Sequence, residues 1–329
     1  MASVSRETPG ISGGDLLVAA RPICDYEGTS YRAFFWEGQG REYEDLAERL
    51  ALSRLLPPQG ERLLDVGAGF GRLADLYQGY RQVILLDYAT SGLREAQERL
   101  GRSERFIYVA ADLYRLPLAQ GTCDTVVSVR VLHHLVDVPA ALQQMAWALR
   151  PGGACVLEYA NKRNLKAILR YLAGRQKWSP FSKEPYEFAA LNFDFHPAWI
   201  KRALAKAGFV VEAELAVSYF RHPLLKRLVP ARRLAAWDGL LQRTGAVCKL
   251  SPSVFVRGRT AGSGSLRYEP LFRCPTCGCQ NLSQAQDGLV CPACGAAWGV
   301  VDGIYDFKTP LSRGNAGSIS AGSADHPLQ

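Results

Sequence analysis

The sequence predicts an α/β fold built on a seven-stranded, mostly parallel sheet with helices on both faces, followed by a small cysteine-rich module. Between about residues 61 and 159, short apolar runs alternate with amphipathic stretches, which is the pattern of successive β-α-β units. The apolar runs are continuous, as in strands that are buried on both faces of a parallel sheet. Five of the nine cysteines lie between residues 274 and 294, and this crowding indicates a metal site.

The individual elements follow from these runs. Strands are predicted at 61–66, 82–86, 105–110, 124–129, 153–159, 209–219 and 252–258. Helices are predicted at 71–79, 90–101, 137–149, 163–173 and 197–207. The third of these helices ends where Arg150-Pro151-Gly152-Gly153 begins, because proline and glycine stop a helix and start a turn.

Composition limits the class of protein. Hydrophobic residues make up 48% of the 329 residues and charged residues 21%, which is typical of a globular protein with a core and excludes global disorder. No apolar run approaches the roughly 18–20 residues of a membrane span, and the N-terminus lacks the basic-then-apolar layout of a signal peptide. We therefore expect a cytoplasmic protein without a transmembrane segment.

The net charge of +8 is concentrated in one region. Between residues 161 and 260 there are 19 Lys or Arg and 6 Asp or Glu, so the rest of the chain is net acidic. A solvated face explains part of this excess, and an anionic partner such as RNA, a phosphate-bearing substrate or a lipid surface would explain the rest. The basic residues expected to be most exposed are Lys162, Arg163, Lys226, Arg227, Arg232 and Arg233.

A glycine-rich turn follows the first predicted strand, with Gly67, Ala68, Gly69 and Gly71 in the spacing G-x-G-x-G. Glycine lets the backbone approach a ligand closely because it has no Cβ. The nicotinamide fingerprint would need a small residue at position 72, where this chain has arginine. Asp65, two residues before the first glycine, would repel a pyrophosphate but suits an ammonium group. S-adenosylmethionine carries an ammonium and a sulfonium and has no phosphate.

Two further acids end the next two strands. Asp87 is placed to accept from both ribose hydroxyls, and Asp112 from the adenine amino group, because open α/β sheets bind ligands at the carboxyl ends of their strands. Their neighbours Tyr88 and Leu113 could sandwich the adenine ring. Capping of the following helix explains any one of these carboxylates equally well, but three in succession beside a glycine turn favour S-adenosylmethionine.

These motifs resemble the class I S-adenosylmethionine-dependent methyltransferases, and within them the ubiquinone/menaquinone biosynthesis methyltransferases. The resemblance covers roughly 45–220 and rests on the segments 64–71, 111–117, 123–128, 131–135 and 149–153. It implies a Rossmann-like fold and carries over Asp65, Gly67, Gly69, Asp87 and Asp112 as cofactor residues. Arg130 stands where that family more often has a small or amide residue, which implies an altered methionine end of the pocket.

The predicted methyl transfer depends mainly on how the acceptor is positioned relative to the methyl group. Methyl transfer from a sulfonium is a direct displacement, so a dedicated base is optional. A base, if present, should follow the fourth or fifth strand, and the candidates are His133, His134, Tyr159 and His196. Packing explains the histidine pair and helix capping explains His196, so no base is assigned.

Near the C-terminus, Cys274 and Cys277 form one C-x2-C pair, and Cys291 and Cys294 form a second. Two such pairs predict one structural zinc ion with four thiolate ligands. Cys279 is left as a spare. The surrounding sequence, including the turn Asp302-Gly303-Ile304, resembles the zinc-ribbon activator protein of tRNA, rRNA and release-factor methyltransferases.

The chain therefore divides into five predicted parts. Residues 1–43 form an N-terminal segment and candidate lid, and 44–258 form the methyltransferase domain, with an acceptor-side insertion at 160–195. Residues 259–268 form a flexible linker, 269–308 the zinc ribbon and 309–329 a disordered tail.

Three functions remain open at this stage. The first is methyl transfer to a small-molecule or lipid-borne acceptor, with peripheral contact to a membrane surface through the basic and apolar stretch 222–245. The second is methylation of tRNA, rRNA or a translation-related protein, with RNA bound by the region 161–260 and the ribbon as a built-in activator. The third is a non-catalytic scaffold that binds the cofactor.

Overall fold

The computed structural model describes residues 21–29 and 32–311, and the expectations for residues 1–20 and 312–329 lie outside this range. Seven α-helices are described: α1 (Glu42–Leu55), α2 (Thr90–Leu100), α3 (Val138–Ala148), α4 (Leu165–Leu172), α5 (Pro197–Lys206), α6 (Pro223–Leu228) and α7 (Ala231–Leu241). None of the helices in these ranges is long and apolar enough to span a membrane.

The strands described are β1 (Gly60–Val66), β2 (Tyr80–Asp87), β3 (Phe106–Ala110), β4 (Cys123–Ser128), β5 (Leu149–Ala160), β6 (Tyr186–Ala189), β7 (Asn192–Asp194), β8 (Phe209–Val217), β9 (Ser253–Thr260), β10 (Ser283–Ala285), β11 (Gly288–Val290), β12 (Ala297–Val301) and β13 (Ile304–Leu311). Strands β6 and β7 form a separate hairpin in the insertion, and the other eleven belong to one sheet.

The seven predicted strands are contiguous in this sheet, in the order β3-β2-β1-β4-β5-β9-β8. The first five are parallel, and β9 runs antiparallel to both of its neighbours. Helices α1, α2 and α7 bury one face of the sheet, whereas α3 and α5 bury the other. The predicted Rossmann-like α/β fold is therefore confirmed.

The prediction of a helix at 71–79 is wrong. Only Ala74–Tyr77 forms a single 3-10 turn there. Gly71 has a φ of +69°, a left-handed conformation that a regular helix does not contain, and it lies against Leu100 and Ala96 of α2. The turn therefore continues to residue 73, and β2 begins at Tyr80, which leaves no room for a longer helix.

Strands β10 to β13 extend the sheet beyond the predicted seven. They pair with one another antiparallel, and β13 then pairs parallel with β3, with Asp306 opposite Ala110. Strand β13 runs to Leu311, three residues past the predicted end of the ribbon at 308. The cysteine-rich segment is thus joined to the larger sheet by backbone hydrogen bonds.

The segment between β9 and the ribbon runs along the edge of the sheet at which the parallel strands begin. Arg150 donates from Nη1 to the carbonyl of Gly264 at 3.0 Å, and the amide of Arg267 donates to the carbonyl of Gly121 at 2.9 Å. These contacts tie the segment that the sequence predicts as a linker to the turns before β4 and β5.

Candidate functional site

A cavity opens at the carboxyl ends of β1 to β4, beneath the N-terminal segment. It is lined by every predicted cofactor residue except Gly71, namely Asp65, Gly67, Ala68, Gly69, Asp87, Tyr88, Asp112, Leu113 and Arg130. Gly71 packs against α2 instead, and this contact helps to fix the conformation of the glycine turn. The strand ends thus bring residues from four separate motifs to one place.

The glycine turn that forms one wall of the cavity depends on the absence of side chains. Gly67 has a φ of +72°, and a Cβ on it would lie 2.2 Å from Cγ2 of Val131. Any larger residue would therefore displace the loop after β4 or the turn itself. The amide of Gly69 donates to Oδ2 of Asp87 at 2.7 Å, which joins the turn to the end of β2.

Asp87 is held rigidly at the end of β2. Its Oδ2 accepts from Gly69 and its Oδ1 accepts from the amide of Ala89 at 2.9 Å. Each carboxylate oxygen can accept a second hydrogen bond, so both remain able to bind a ligand hydroxyl. Burial raises the pKa of this carboxyl above its usual value.

Asp65 is almost fully buried at the end of β1, with 3% of the residue exposed. The hydroxyl of Tyr77 donates to its Oδ2 at 3.0 Å, and no Lys or Arg of the described chain lies within ion-pair distance. Burial raises the pKa of Asp65 to about 7. A cationic ligand group would supply the missing counter-charge.

Asp112 combines the two roles that the sequence left open. It lines the cavity, and its Oδ1 also accepts from the amide of Tyr114 at 2.8 Å, which caps the short turn that follows β3. Arg115 donates to the other oxygen at 3.3 Å. Capping fixes the orientation of the carboxyl group without using all of its acceptor capacity.

An ionic cluster closes the far end of the cavity. Glu48 of α1, 1% exposed, forms ion pairs with Arg130 and with Arg72, the latter at 2.8 Å. Burial alone would raise the pKa of Glu48, but the two guanidinium groups outweigh it and hold the pKa below its usual value. The ring of Trp36 lies 3.9 Å from the Arg72 guanidinium carbon. Sequence analysis singled out Arg130 but missed the roles of the other three residues.

Arg130 itself has an unusual backbone. Its φ is +63°, a conformation that non-glycine residues rarely adopt, and its amide donates to Oε2 of Glu158 at 3.0 Å. Glu158 is buried in β5 and also accepts from Ser253 of β9. Arg130 thus fixes the loop after β4 through both its backbone amide and its side chain.

His134 is the one candidate base that lines the cavity. Its Nδ1 lies 3.0 Å from the carbonyl of Leu191, which can only accept, so Nδ1 carries the proton. Nε2 therefore accepts from the hydroxyl of Tyr26 at 3.2 Å. Burial lowers the pKa of His134, which favours this neutral tautomer.

The other three candidates lie elsewhere. Burial lowers the pKa of His133 to about 3 and raises that of Tyr159 well above its usual value, so both stay uncharged. His196 accepts from the amide of Ala198 at 3.1 Å and caps α5. None of the three reaches the cavity.

The N-terminal segment covers the cavity. Residues Pro22, Ile23, Cys24, Tyr26, Thr29, Arg32 and Trp36 line it from above. Glu27 anchors the segment, because its carboxylate accepts from the amides of Thr90 and Ser91 at 2.6 and 3.1 Å. These are free amides at the N-terminus of α2, where a negative charge is favoured. The described part of the N-terminal segment thus lines the cavity, and its action as a lid stays a prediction.

The four predicted zinc ligands converge. Their sulfur atoms all lie within 4.8 Å of one another, with 3.7 Å between Cys274 and Cys294 and 3.5 Å between Cys277 and Cys291. A tetrahedral zinc ion with Zn–S bonds of about 2.3 Å would separate its sulfurs by about 3.8 Å, so the arrangement fits one ion. Cys279 is outside the group, and its carbonyl accepts from the amide of Cys274.

The ribbon also touches the cofactor side of the molecule, which the sequence did not predict. Lys308 of β13 donates to Oγ1 of Thr90 at 2.8 Å, and its ammonium lies 5.5 Å from the centre of the Tyr88 ring. On the other face, Trp298 and Phe307 belong to the same apolar core as Leu116 of the larger domain.

One expectation about the basic region is wrong. Lys162 is 3% exposed, and its Nζ donates to the carbonyls of Ser182 and Glu184. Lys226 is half-buried and pairs with Glu44 at 2.8 Å. The insertion folds over Lys162, which a local charge count cannot reveal. The other four basic side chains are exposed: Arg163, Arg227, Arg232 and Arg233.

Comparison with known proteins agrees with this geometry. Residues 64–157 match the family model described as a methyltransferase domain. An uncharacterized chloroplastic methyltransferase of Arabidopsis thaliana is 31% identical over 143 residues, which cover 40% of this chain and 39% of the relative. The ubiquinone/menaquinone biosynthesis C-methyltransferase of Methylococcus capsulatus is 29% identical over 181 residues, which cover 50% of this chain and 73% of the relative.

Among solved structures, an S-adenosylmethionine-dependent methyltransferase of Mesorhizobium loti is 23% identical, with a TM-score of 0.47, over 66% of this chain and 99% of that protein. The chain spans less than half the length of the Arabidopsis relative. The segment from β1 to β5, which carries the glycine turn and all three strand-end carboxylates, coincides with the matched family model. Residues 64–157 of this chain therefore match a methyltransferase domain in sequence.

Proposed function

We propose that this protein transfers the methyl group of S-adenosylmethionine to a small-molecule or lipid-borne acceptor. The observation that carries this proposal is the convergence of Asp65, Asp87 and Asp112 with the glycine turn on one cavity. A cavity with three carboxylates suits a cationic nucleoside that has hydroxyl and amino donors, and it disfavours a pyrophosphate.

Each carboxylate has its own proposed partner. Asp65, buried without a cation, binds the ammonium of the methionine moiety. Asp87 accepts from the ribose hydroxyls through the free acceptor capacity of its two oxygens. Asp112, fixed by capping, accepts from the adenine amino group, while Tyr88 and Leu113 flank the ring.

The bound cofactor supplies an electrophilic methyl group, and the residues around it supply position. The ionic cluster of Glu48, Arg72 and Arg130 holds the methionine end of the cavity rigid. His134 and Tyr26, hydrogen-bonded to each other, line the cavity, where they could contact an acceptor. Direct displacement requires alignment more than proton transfer, so we assign these two residues to positioning and propose no catalytic base.

The acceptor class rests on the relatives. The Methylococcus protein is named for ubiquinone and menaquinone biosynthesis, and it aligns over half of this chain. The aromatic side chains of the insertion divide between two roles. Phe195 is buried and stacks on Trp199, whereas Phe181 and Phe188 are exposed. The exposed pair is available to an apolar acceptor.

For the ribbon we propose one structural zinc ion, held by Cys274, Cys277, Cys291 and Cys294. Four thiolates at these distances form a closed site without an open coordination position, which is a structural and not a catalytic arrangement. Free thiolates persist in reducing compartments, so we propose a cytoplasmic location.

Ligand binding tests the proposal directly. Calorimetry with the purified protein should show saturable binding of S-adenosylmethionine and of its product S-adenosylhomocysteine. NAD, which carries a pyrophosphate, should not bind, because Asp65 beside the glycine turn would face its negative charge. Tight NAD binding together with no response to S-adenosylhomocysteine would overturn the assignment.

Proton release tests the role of Asp65. Because burial raises the pKa of its carboxyl to about 7, Asp65 is largely protonated at pH 6.5 in the free protein. The ligand ammonium would favour the carboxylate, so binding of S-adenosylhomocysteine should release up to one proton there. Affinity should also increase as pH rises toward 7. Calorimetry in two buffers of different ionisation enthalpy measures the released proton.

The variant Asp65→Asn is the control for this titration. It should bind more weakly and release no proton at pH 6.5. The raised pKa also predicts that the ligand-free wild type loses stability relative to Asp65→Asn as pH rises from about 4 through 7, since the buried charge forms over that interval. Equal proton release by both proteins would assign the titration to another group.

A further inference from the structure

Helix α4 presents an apolar stripe to solvent. Leu165, Leu169 and Leu172 are 48%, 58% and 70% exposed, and their spacing places them on one side of the helix. Ala167 is the single buried residue of this helix. A water-exposed helix usually carries its leucines toward the core, so the stripe is available to a partner.

Helices α6 and α7 also expose large apolar side chains. Leu228 of α6 is 77% exposed, Leu240 of α7 is 80% exposed, and Val247 in the following loop is 93% exposed. Leu224 and Trp237 add to it, at 61% and 47%. We call the exposed apolar residues of α4, α6, α7 and Val247 the docking face.

Basic residues surround the docking face, and acidic ones are missing from the same stretches. Residues 163–178 and 222–233 contain no Asp or Glu. Lys166 and Arg170 of α4 are exposed next to the leucine stripe, and Arg232 and Arg233 are exposed at the start of α7. Apolar side chains with flanking Lys and Arg are the composition of a helix that lies in the interface of an anionic bilayer.

The topology places these helices at the edge of the sheet that carries the cofactor cavity. Strands β5 and β8 are both antiparallel to β9, so they are parallel to each other and end at the same edge. Helix α4 follows β5, and α6 follows β8. The amide of Leu165 donates to the carbonyl of Leu250 at 2.8 Å, which joins α4 to the loop after α7.

We propose that the docking face binds the surface of an anionic phospholipid bilayer. Leucine side chains would enter the acyl boundary while Lys and Arg meet the headgroup phosphates. RNA would use the basic residues but not the exposed leucines. A second copy of the chain would bring two basic faces together, which repel each other.

Because α4 and α6 follow strands that end at the edge carrying the cofactor cavity, docking would bring that edge close to the lipid surface. Of the two acceptor classes proposed above, small-molecule and lipid-borne, this placement favours the lipid-borne one. That choice rests on the proposed methyl transfer. The docking itself does not depend on any reaction, because it follows from exposure and charge alone.

Vesicle co-sedimentation tests the docking without cofactor. The full-length protein should bind vesicles made of phosphatidylcholine and phosphatidylglycerol at 7:3. Its binding to vesicles of phosphatidylcholine alone should be at least about tenfold weaker. The double variant Leu169→Glu, Leu172→Glu should lose at least about tenfold in binding to the anionic vesicles. Lys166→Glu combined with Arg170→Glu should abolish the preference for phosphatidylglycerol.

Val210→Glu is the matched control. Val210 is 65% exposed near the start of β8, so it carries the same change at the opposite edge of the sheet. It should bind vesicles like the wild type. The leucines are exposed, so their replacement should leave thermal unfolding unchanged, and that measurement accompanies each variant.

Several results would overturn the docking proposal. These are equal binding to neutral and anionic vesicles, no binding to either, or wild-type binding by the leucine double variant. Steeply salt-dependent binding of bulk tRNA in place of vesicles would assign the basic residues to RNA and also overturn it. Calorimetry with S-adenosylhomocysteine is independent of all these outcomes, so a failure of the proposed methyl transfer would be seen separately.

Discussion

Replacing Cys274 with serine is expected to remove the zinc ion, unfold the ribbon and weaken cofactor binding at least about tenfold. Structural zinc contributes roughly 10–16 kcal/mol of apparent binding free energy in small zinc modules, so the loss of one thiolate is enough to unfold such a module. Cys274 is fully buried and belongs to the apolar core that the ribbon shares with the larger domain.

The effect on the cofactor follows from the sheet. Strand β13 pairs with β3, and Asp112 follows directly after the end of β3. Lys308 of β13 also holds Thr90 at the start of α2. Unfolding the ribbon therefore removes a neighbour from the strand that positions Asp112 and loosens the helix on which the N-terminal cover is anchored.

Metal analysis after gel filtration, thermal unfolding and calorimetry with S-adenosylhomocysteine measure the three consequences. Cys279→Ser is the matched control, because Cys279 lies in the same turn but outside the sulfur group. It should retain one zinc ion per chain and wild-type affinity. A Cys274→Ser protein that keeps both its metal and its stability would refute the proposed ligand set.

Asp87→Ala is expected to reduce the affinity for S-adenosylhomocysteine by at least about a hundredfold. Two hydrogen bonds between the carboxylate and the ribose are lost, each worth about 1.5–3 kcal/mol, and a factor of ten corresponds to about 1.4 kcal/mol. The substitution also frees the amides of Gly69 and Ala89, so the glycine turn loses its tie to β2.

Two comparisons separate these contributions. Asp87→Asn keeps the shape of the side chain and one acceptor oxygen, and it should fall between wild type and Asp87→Ala. Asp75→Ala removes a half-exposed carboxylate that pairs with Arg49 on the far side of the glycine turn, and it should leave affinity unchanged. Unchanged affinity in Asp87→Ala would exclude Asp87 from the cofactor site.

The central sheet was predictable because its signals are local. Each of the seven strands contains a short apolar run, and such a run can be recognised without knowledge of its neighbours. The helix predicted at 71–79 failed for the opposite reason. The stretch has helical composition, but Gly71 is held in a left-handed conformation by its contact with α2, which is a tertiary effect.

The candidate site divides in the same way. Asp65, Asp87 and Asp112 were found because each ends a strand, and strand ends of a parallel sheet meet at one edge. The ionic cluster of Glu48, Arg72 and Arg130 joins a helix, a turn and a loop that are far apart in sequence. Glu48, which pairs with both arginines, carries no motif of its own, so pattern reasoning could not connect them.

The pairing of β13 with β3 also determines when the chain can finish folding during its synthesis. Strand β3 ends at Ala110, but its outer neighbour begins at Ile304. A growing chain therefore carries β3 with an open outer edge at least until residue 304 has left the ribosome, and open edges are sites of aggregation. Pairing of β13 with β3 then closes that edge. We therefore expect products truncated before residue 304 to aggregate more readily than a chain that includes β13.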